Sequence, residues 1–232
     1  MSHSMPTFAK KALRFYRSLK VPGKLPRGVG VMNPYATPQV VTYVRKFLEK
    51  YFNDNEKRVF VFGINPGRFG AGLTGVTFTD PVALQEHCGI ENALEKRREL
   101  SSDFIYRFLG HWGGTEKFYR QFFLTAVSPL GFTRDGINYN YYDDAQLLEA
   151  SRPFIAETLR QQMALGTRRD VAIVLGTGKN QKAFAALNSQ HHLFDDVRYL
   201  DHPRFIMQYR RKRIGEYFDR YKRTFAEALT EQ

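Results

Sequence analysis

Cysteine is almost missing from this chain. Cys88 stands alone among 232 residues, which excludes an internal disulfide and a cysteine-based zinc site and suits a reducing compartment. Its expected place is the core, as a buried thiol. Long hydrophobic runs are missing as well: nothing approaches the roughly 18 apolar residues of a membrane-spanning helix. Met1 to Met5 lacks the apolar segment of a secretory signal and reads as an added leader ahead of a native start at Met5. The expectation is an intracellular monomer in cytoplasm or nucleoid, or in the nucleus if the source is eukaryotic. Internal repeats and low-complexity tracts are absent too. A hydrophobic content of 43% is enough for one proper core, so residues 1–232 should form one domain.

Acid is the other scarcity. The first 48 residues hold nine Lys and Arg and no Asp or Glu before Glu49, and Arg204 to Arg223 holds eight basic residues against Glu216 and Asp219. A formal charge of +12 creates a positive field that attracts polyanions, so nucleic acid is the leading partner and a solvated basic surface the plain alternative.

Phe8, Ala12, Phe15, Tyr16 and Leu19 recur at helical spacing among lysines and arginines, and residues 6–36 are predicted to be a basic helix and a connection packed on the domain. Thr37-Pro38 opens a second helix with Val40, Val44, Phe47 and Leu48 on its apolar face. Further helices are expected over 80–95, over 101–111, after Ser151-Arg152-Pro153, and over a last segment carrying Ile214, Phe218, Tyr221 and Phe225. Residues 133–144 read as a polar and aromatic loop. Strands are expected at Val59 to Phe62, Gln121 to Val127, Val171 to Leu175 and Val197 to Leu200. Strands alternating with helices give a three-layer α/β/α fold around a central, mostly parallel four-stranded sheet.

The most informative stretch is Arg58 to Phe78. Its apolar strand ends at Gly63, and Asn65-Pro66-Gly67 with glycines 70, 72 and 75 then makes an irregular loop at the sheet edge where α/β proteins bind ligands. Asn-Pro-Gly alone is ordinary turn chemistry. Gly176-Thr177-Gly178-Lys179 invites comparison with a phosphate loop, but only one residue separates its glycines and Asn180 replaces the hydroxyl residue, so a tight strand-to-helix turn is expected.

The longer string, Gly63-Ile-Asn-Pro-Gly-Arg-Phe-Gly70 followed by Thr74-Gly-Val-Thr-Phe78, resembles the first motif of the single-strand-selective monofunctional uracil-DNA glycosylases. Asp201-His202-Pro203 supplies the superfamily's second motif, in the expected order, and Asn33-Pro34-Tyr35-Ala36 is a weaker echo upstream. The resemblance implies a uracil-DNA-glycosylase-like fold and monofunctional removal of a damaged base from DNA, with no metal or cofactor. Asn65 and His202 would be catalytic, Asn65 holding a water at the sugar and His202 donating to a base oxygen. Ile64, Gly67, Phe69, Phe78, Ala126 and Ser128 would contact the base, Phe78 by stacking. By charge and position rather than by the family's motifs, Arg68, Lys179, Arg204, Phe205, Arg210, Arg211, Lys212 and Arg213 would contact DNA.

The sequence departs from that pattern twice. Arg204 to Tyr209 replaces the residues that follow His-Pro in the family, so the duplex wedge does not transfer residue by residue. Ala126 stands where the family carries an Asn that reads the edge of uracil, which predicts a relaxed pocket admitting xanthine or hypoxanthine, with Ser128 or residues 138–142 as substitute contacts. The competing readings are a hydrolase of free nucleosides or nucleotides and a non-catalytic nucleic-acid-binding protein. The basic ends argue against the free nucleoside, which has no phosphate to match them.

Overall fold

A computed structural model describes residues 5–20 and 23–230. The leader read at Met1 to Met5 thus lies, except for Met5, outside the described residues. Helix α1 (Phe8–Ser18) is capped by Thr7 and buries Phe8, Ala12, Phe15 and Tyr16, the face its period predicts. The connection after it contributes strand β1 (Val29–Met32). Helix α2 (Pro38–Tyr51) begins at Pro38, whose fixed φ suits a first helical position, and leads into strand β2 (Arg58–Gly63). Arg58 is fully buried at the start of that strand. Its guanidinium is matched by the Asp54 carboxylate at 2.7 Å and by the carbonyls of Tyr119 and Glu56, which offsets the cost of burying the charge.

The loop beyond β2 contains the short helix α3 (Ala71–Thr74), and α4 follows over Pro81–Glu86. The helix expected over 80–95 therefore stops nine residues early; Gly89 takes a left-handed φ of +65° that ends it. Cys88 is fully buried, as expected, and burial pushes its thiol up to about 11. Helix α5 (Leu100–Trp112) and an unforeseen α6 (Thr115–Gln121) precede strand β3 (Phe122–Ala126).

Residues 133–144 are not a plain loop. Strands β4 (Gly131–Arg134) and β5 (Ile137–Tyr139) form a hairpin that joins β1 in an antiparallel three-stranded sheet. Its two-residue turn, Asp135-Gly136, has φ of +51° and +71°, the primed-turn geometry that matches strand twist. Helix α7 (Ala145–Met163) also starts earlier than its Ser-Arg-Pro signal implies. The Asp144 carboxylate accepts from Leu147 N at 2.7 Å and caps the helix, leaving Pro153 inside it.

Strand β6 (Thr167–Leu175), helix α8 (Lys179–His191), strand β7 (Asp196–Leu200), and helices α9 (Pro203–Tyr209) and α10 (Ile214–Thr230) complete the chain. The main sheet has order β3-β2-β6-β7, and every pairing in it is parallel. Helices cover both faces, giving the expected three-layer sandwich. Phe60 and Phe62 meet Phe8 of α1 and Phe184 of α8 on one side, while Phe122 meets Phe225 of α10 on the other. No described helix is long and apolar enough to cross a membrane.

Candidate active site

The carboxyl ends of β2, β3 and β7 converge on a cavity of about 420 Å³. Two bonds carry the pairing of β2 and β3 past the strands, from Val127 N to Gly63 O and from Ser128 N to Ile64 O, both at 3.0 Å. They set the second loop beside Asn65. The cavity is lined by Ile64, Asn65, Gly67, Arg68, Phe69, Phe78, Ala126, His202 and Arg204, so most of the residues read from the sequence do meet in one place.

Asn65 is clamped by backbone. Its Nδ2 donates to the carbonyls of Tyr139 at 3.3 Å and Pro66 at 3.4 Å, and its Oδ1 accepts from Tyr141 N at 3.2 Å. An amide oxygen has two acceptor sites, so one remains to orient a water. The end of β5 supplies the Tyr139 carbonyl and the residues just past it the Tyr141 N–H, which sets the β4–β5 hairpin against the site.

His202 is the N-cap of α9, and its Nδ1 accepts from Arg204 N at 3.2 Å. A nitrogen that accepts carries no proton, so the neutral ring holds its proton on Nε2 and keeps that N–H free to donate. Burial first, and then the Arg204 guanidinium, push the imidazole down to about 4. The amino end of a helix disfavours a cation as well. A neutral donor can stabilise a developing oxyanion without first surrendering a proton.

Phe78 stands beside this ring, with centroids 5.7 Å apart and planes at 48°. Its φ of +56° is unusual for an aromatic residue and turns the ring back over the end of β2. Gly63 makes that approach possible: a Cβ there would lie 2.7 Å from the Phe78 ring.

Seven of the expected contact residues do not line this cavity. Ser128 is fully buried and its hydroxyl donates to Leu130 O at 2.7 Å, so it turns inward and does not line the cavity. Lys179 lies at the start of α8, on the rim of a different cavity. Phe205 is exposed on α9 outside the lining, its ring centroid 5.5 Å from that of Tyr209 with the planes tilted at 48°, and the Arg210 guanidinium lies over it. Arg211 and Lys212 follow on the surface, and Arg213 pairs with Glu216 at 2.6 Å. Arg68 lines the cavity, but its guanidinium donates to Gly136 O and its backbone N to Asn138 Oδ1, which ties the motif loop to the hairpin.

Outside the motif stretch, sequence reasoning missed three lining residues: Glu99, Ser101 and Ile137. Glu99 caps α5, one oxygen accepting from Ser102 N and the other from the Ser101 hydroxyl, both at 3.1 Å. A Glu two and three residues ahead of two serines at a helix start is a capping signal, but nothing local in it points to the cavity. Ile137, 66% exposed next to the hairpin turn, is visible only once that hairpin is known.

The chain's likeness to known proteins agrees with this geometry. The profile of the Uracil DNA glycosylase superfamily matches residues 49–228. Among solved structures, wild-type SMUG2 of Pedobacter heparinus superposes with a TM-score of 0.94 at 41% identity, over 98% of this chain and 100% of that one. A search of curated proteins finds no match. With both motifs on one cavity at the sheet edge and the profile spanning most of its length, the chain belongs to the Uracil DNA glycosylase superfamily.

Proposed function

We propose that this glycosylase hydrolyses the N-glycosidic bond of uracil, and of further deaminated bases such as xanthine or hypoxanthine, in DNA. It releases the base without cutting the strand. The observation that carries the reading is the orientation of His202: with Nδ1 occupied by Arg204 N, its Nε2–H is the donor the cavity offers to a departing base.

Breaking the bond makes the sugar cation-like and leaves negative charge on the base oxygens. His202 Nε2–H donates to such an oxygen. Phe78 stacks on the extruded ring and holds it beside His202. Asn65 Oδ1 uses its remaining lone pair to hold a water at the sugar carbon. The water's oxygen bonds to that carbon, one of its protons is lost to solvent, and the released base is protonated. Among the described residues no lysine lines the cavity, so nothing there would form the imine that precedes strand cleavage. The likeness to Pedobacter SMUG2 supports the reaction class, and the lack of a side-chain amide at Ala126 supports the wider choice of bases.

Single-turnover excision from a labelled oligonucleotide with one uracil tests the reading, run beside free deoxyuridine. Release from the oligonucleotide alone, with the strand intact until alkali opens the abasic site, is the expected result. Comparable release from deoxyuridine would move the assignment to a nucleoside hydrolase, and no release from either would leave a binding protein.

A further inference from the structure

A second cavity, of about 310 Å³, lies between α7 and α8 and takes no part in the chemistry above. Its walls come from Tyr142, Leu148, Ile155, Ala183 and Leu187, and its rim carries the cations Arg152, Lys179 and Lys182. Arg152 has a carboxylate, Glu149 at 3.2 Å, in an exposed pair; no ion pair involves Lys179 or Lys182 among the described residues. An apolar slot under two unpaired lysines fits a ligand with a flat apolar body and an anionic linkage. A nucleotide of an unpaired strand has both.

Continuity with the first cavity decides which polyanion this is. Asn138 and Asn140 line the first cavity, and Tyr142 lines the second. Tyr141 between them holds Asn65 through its backbone N at 3.2 Å and Asn180 of α8 through its hydroxyl at 2.8 Å. Asn140 and Tyr142 are two residues apart, and consecutive Cα atoms are about 3.8 Å apart, so the walls stand within roughly 8 Å of each other. A strand with one base in the first cavity therefore passes the second within a few nucleotides. We propose that the groove between α7 and α8 is a subsite for an unpaired base flanking the excised one on the same DNA strand. This rests on the DNA glycosylase reading. An acidic peptide with an apolar anchor would match the charge but would have no reason to share a segment with the base cavity.

The test is an abasic scan. Single-stranded oligonucleotides with one uracil have each flanking base in turn replaced by a tetrahydrofuran abasic unit, and KM is measured for the parent, for Ala183→Trp, which fills the slot, and for Lys182→Glu, which sits on the rim and leaves the core untouched. The parent should show KM raised by about tenfold at one flanking position, the size of losing one base stack. Both variants should have raised KM and lose that dependence. The same scan on an undamaged strand, read by fluorescence anisotropy, needs no chemistry and separates failure of the subsite from failure of the glycosylase assignment. Equal KM and affinity at every position in the parent would overturn the proposal, as would variants as sensitive as the parent. Saturable binding of an acidic, phenylalanine-bearing peptide, lost in Ala183→Trp and without any dependence on flanking bases, would give the groove to a protein partner and overturn it too.

Discussion

The Tyr141 hydroxyl donates to Asn180 Oδ1 at 2.8 Å, and both residues are fully buried. Burial raises the phenol well above its ordinary value, so it remains a donor at any working pH. Through Tyr141 N and Asn65 Oδ1, the first turn of α8 thereby braces the loop that holds the Asn65 amide.

Tyr141→Phe should therefore act on stability more than on rate. Asn180 Nδ2 is buried with no partner already, and removing the hydroxyl would leave the whole amide without a hydrogen bond, a loss of about 1–3 kcal/mol. Asn65 is held by the backbone of Tyr141, so single-turnover excision should fall only severalfold. Urea denaturation measures the first effect, and adding Asn180→Leu should recover part of it. An unchanged midpoint in Tyr141→Phe would mean that the bond braces nothing.

His202→Ala and Asn65→Ala should each slow single-turnover excision at least about tenfold, the equivalent of some 1.4 kcal/mol of transition-state stabilisation. Affinity for undamaged DNA should barely change, because neither side chain is a cation. Parental rates in both folded variants would remove the site from this cavity.

Much of this arrangement is legible in the sequence because its signals are local. Gly63 to Phe78 announces a strand that ends in a ligand loop, and the apolar periods of α1, α2 and α10 give their buried faces directly. What escapes is set by tertiary contact. The β4–β5 hairpin hides behind polar and aromatic residues because its pairing partner, β1, lies about a hundred residues upstream. Ser128 reads as a pocket hydroxyl, yet its donation to Leu130 O turns it inward. Glu99 reaches the cavity only because α5 starts there, and Pro153 misleads because Asp144 caps α7 first.

The pH dependence follows from a neutral His202. Between pH 6.5 and about 4 the unfolded chain protonates this imidazole while the folded protein does not, so its contribution to stability is complete above 6.5 and falls as pH is lowered through that window. Urea midpoints across the window should drop more for the parent than for His202→Asn. The acid limb that this residue imposes on single-turnover excision should lie near 4. A limb at the ordinary histidine value of 6.5 would show that the ring is not desolvated in the working enzyme.

Salt should weaken binding to undamaged DNA steeply, since Arg204, Arg210, Arg211 and Lys212 are expected to neutralise phosphates and release their counterions. Arg213 should contribute least, because Glu216 already neutralises it at 2.6 Å. Charge reversal at Arg211 and Lys212 should flatten the slope of log affinity against log salt by about one for each phosphate no longer neutralised. An affinity indifferent to salt would point the basic segment at something other than phosphate.

The proposed breadth of base choice is tested at Ala126. In the sheet register it pairs with Gly63, the residue over which Phe78 lies, and its side chain lines the cavity beside the Phe78 ring. Its carbonyl is taken by Gln162 Nε2 at 3.2 Å, which leaves a methyl group and no side-chain donor at this point of the wall. A site that hydrogen-bonds a base edge rejects bases lacking the match, because its own buried groups would go unpaired, whereas an apolar wall discriminates weakly. The parent should therefore excise xanthine and hypoxanthine as well as uracil and 5-hydroxymethyluracil. Ala126→Asn should shift the preference toward uracil more than it changes the rate on uracil. Single-turnover rates on four oligonucleotides, one for each base, decide the matter: strict uracil selectivity in the parent, or identical preferences in parent and variant, would locate the reader elsewhere on the wall, with Asn138 and Asn140 the next residues to change.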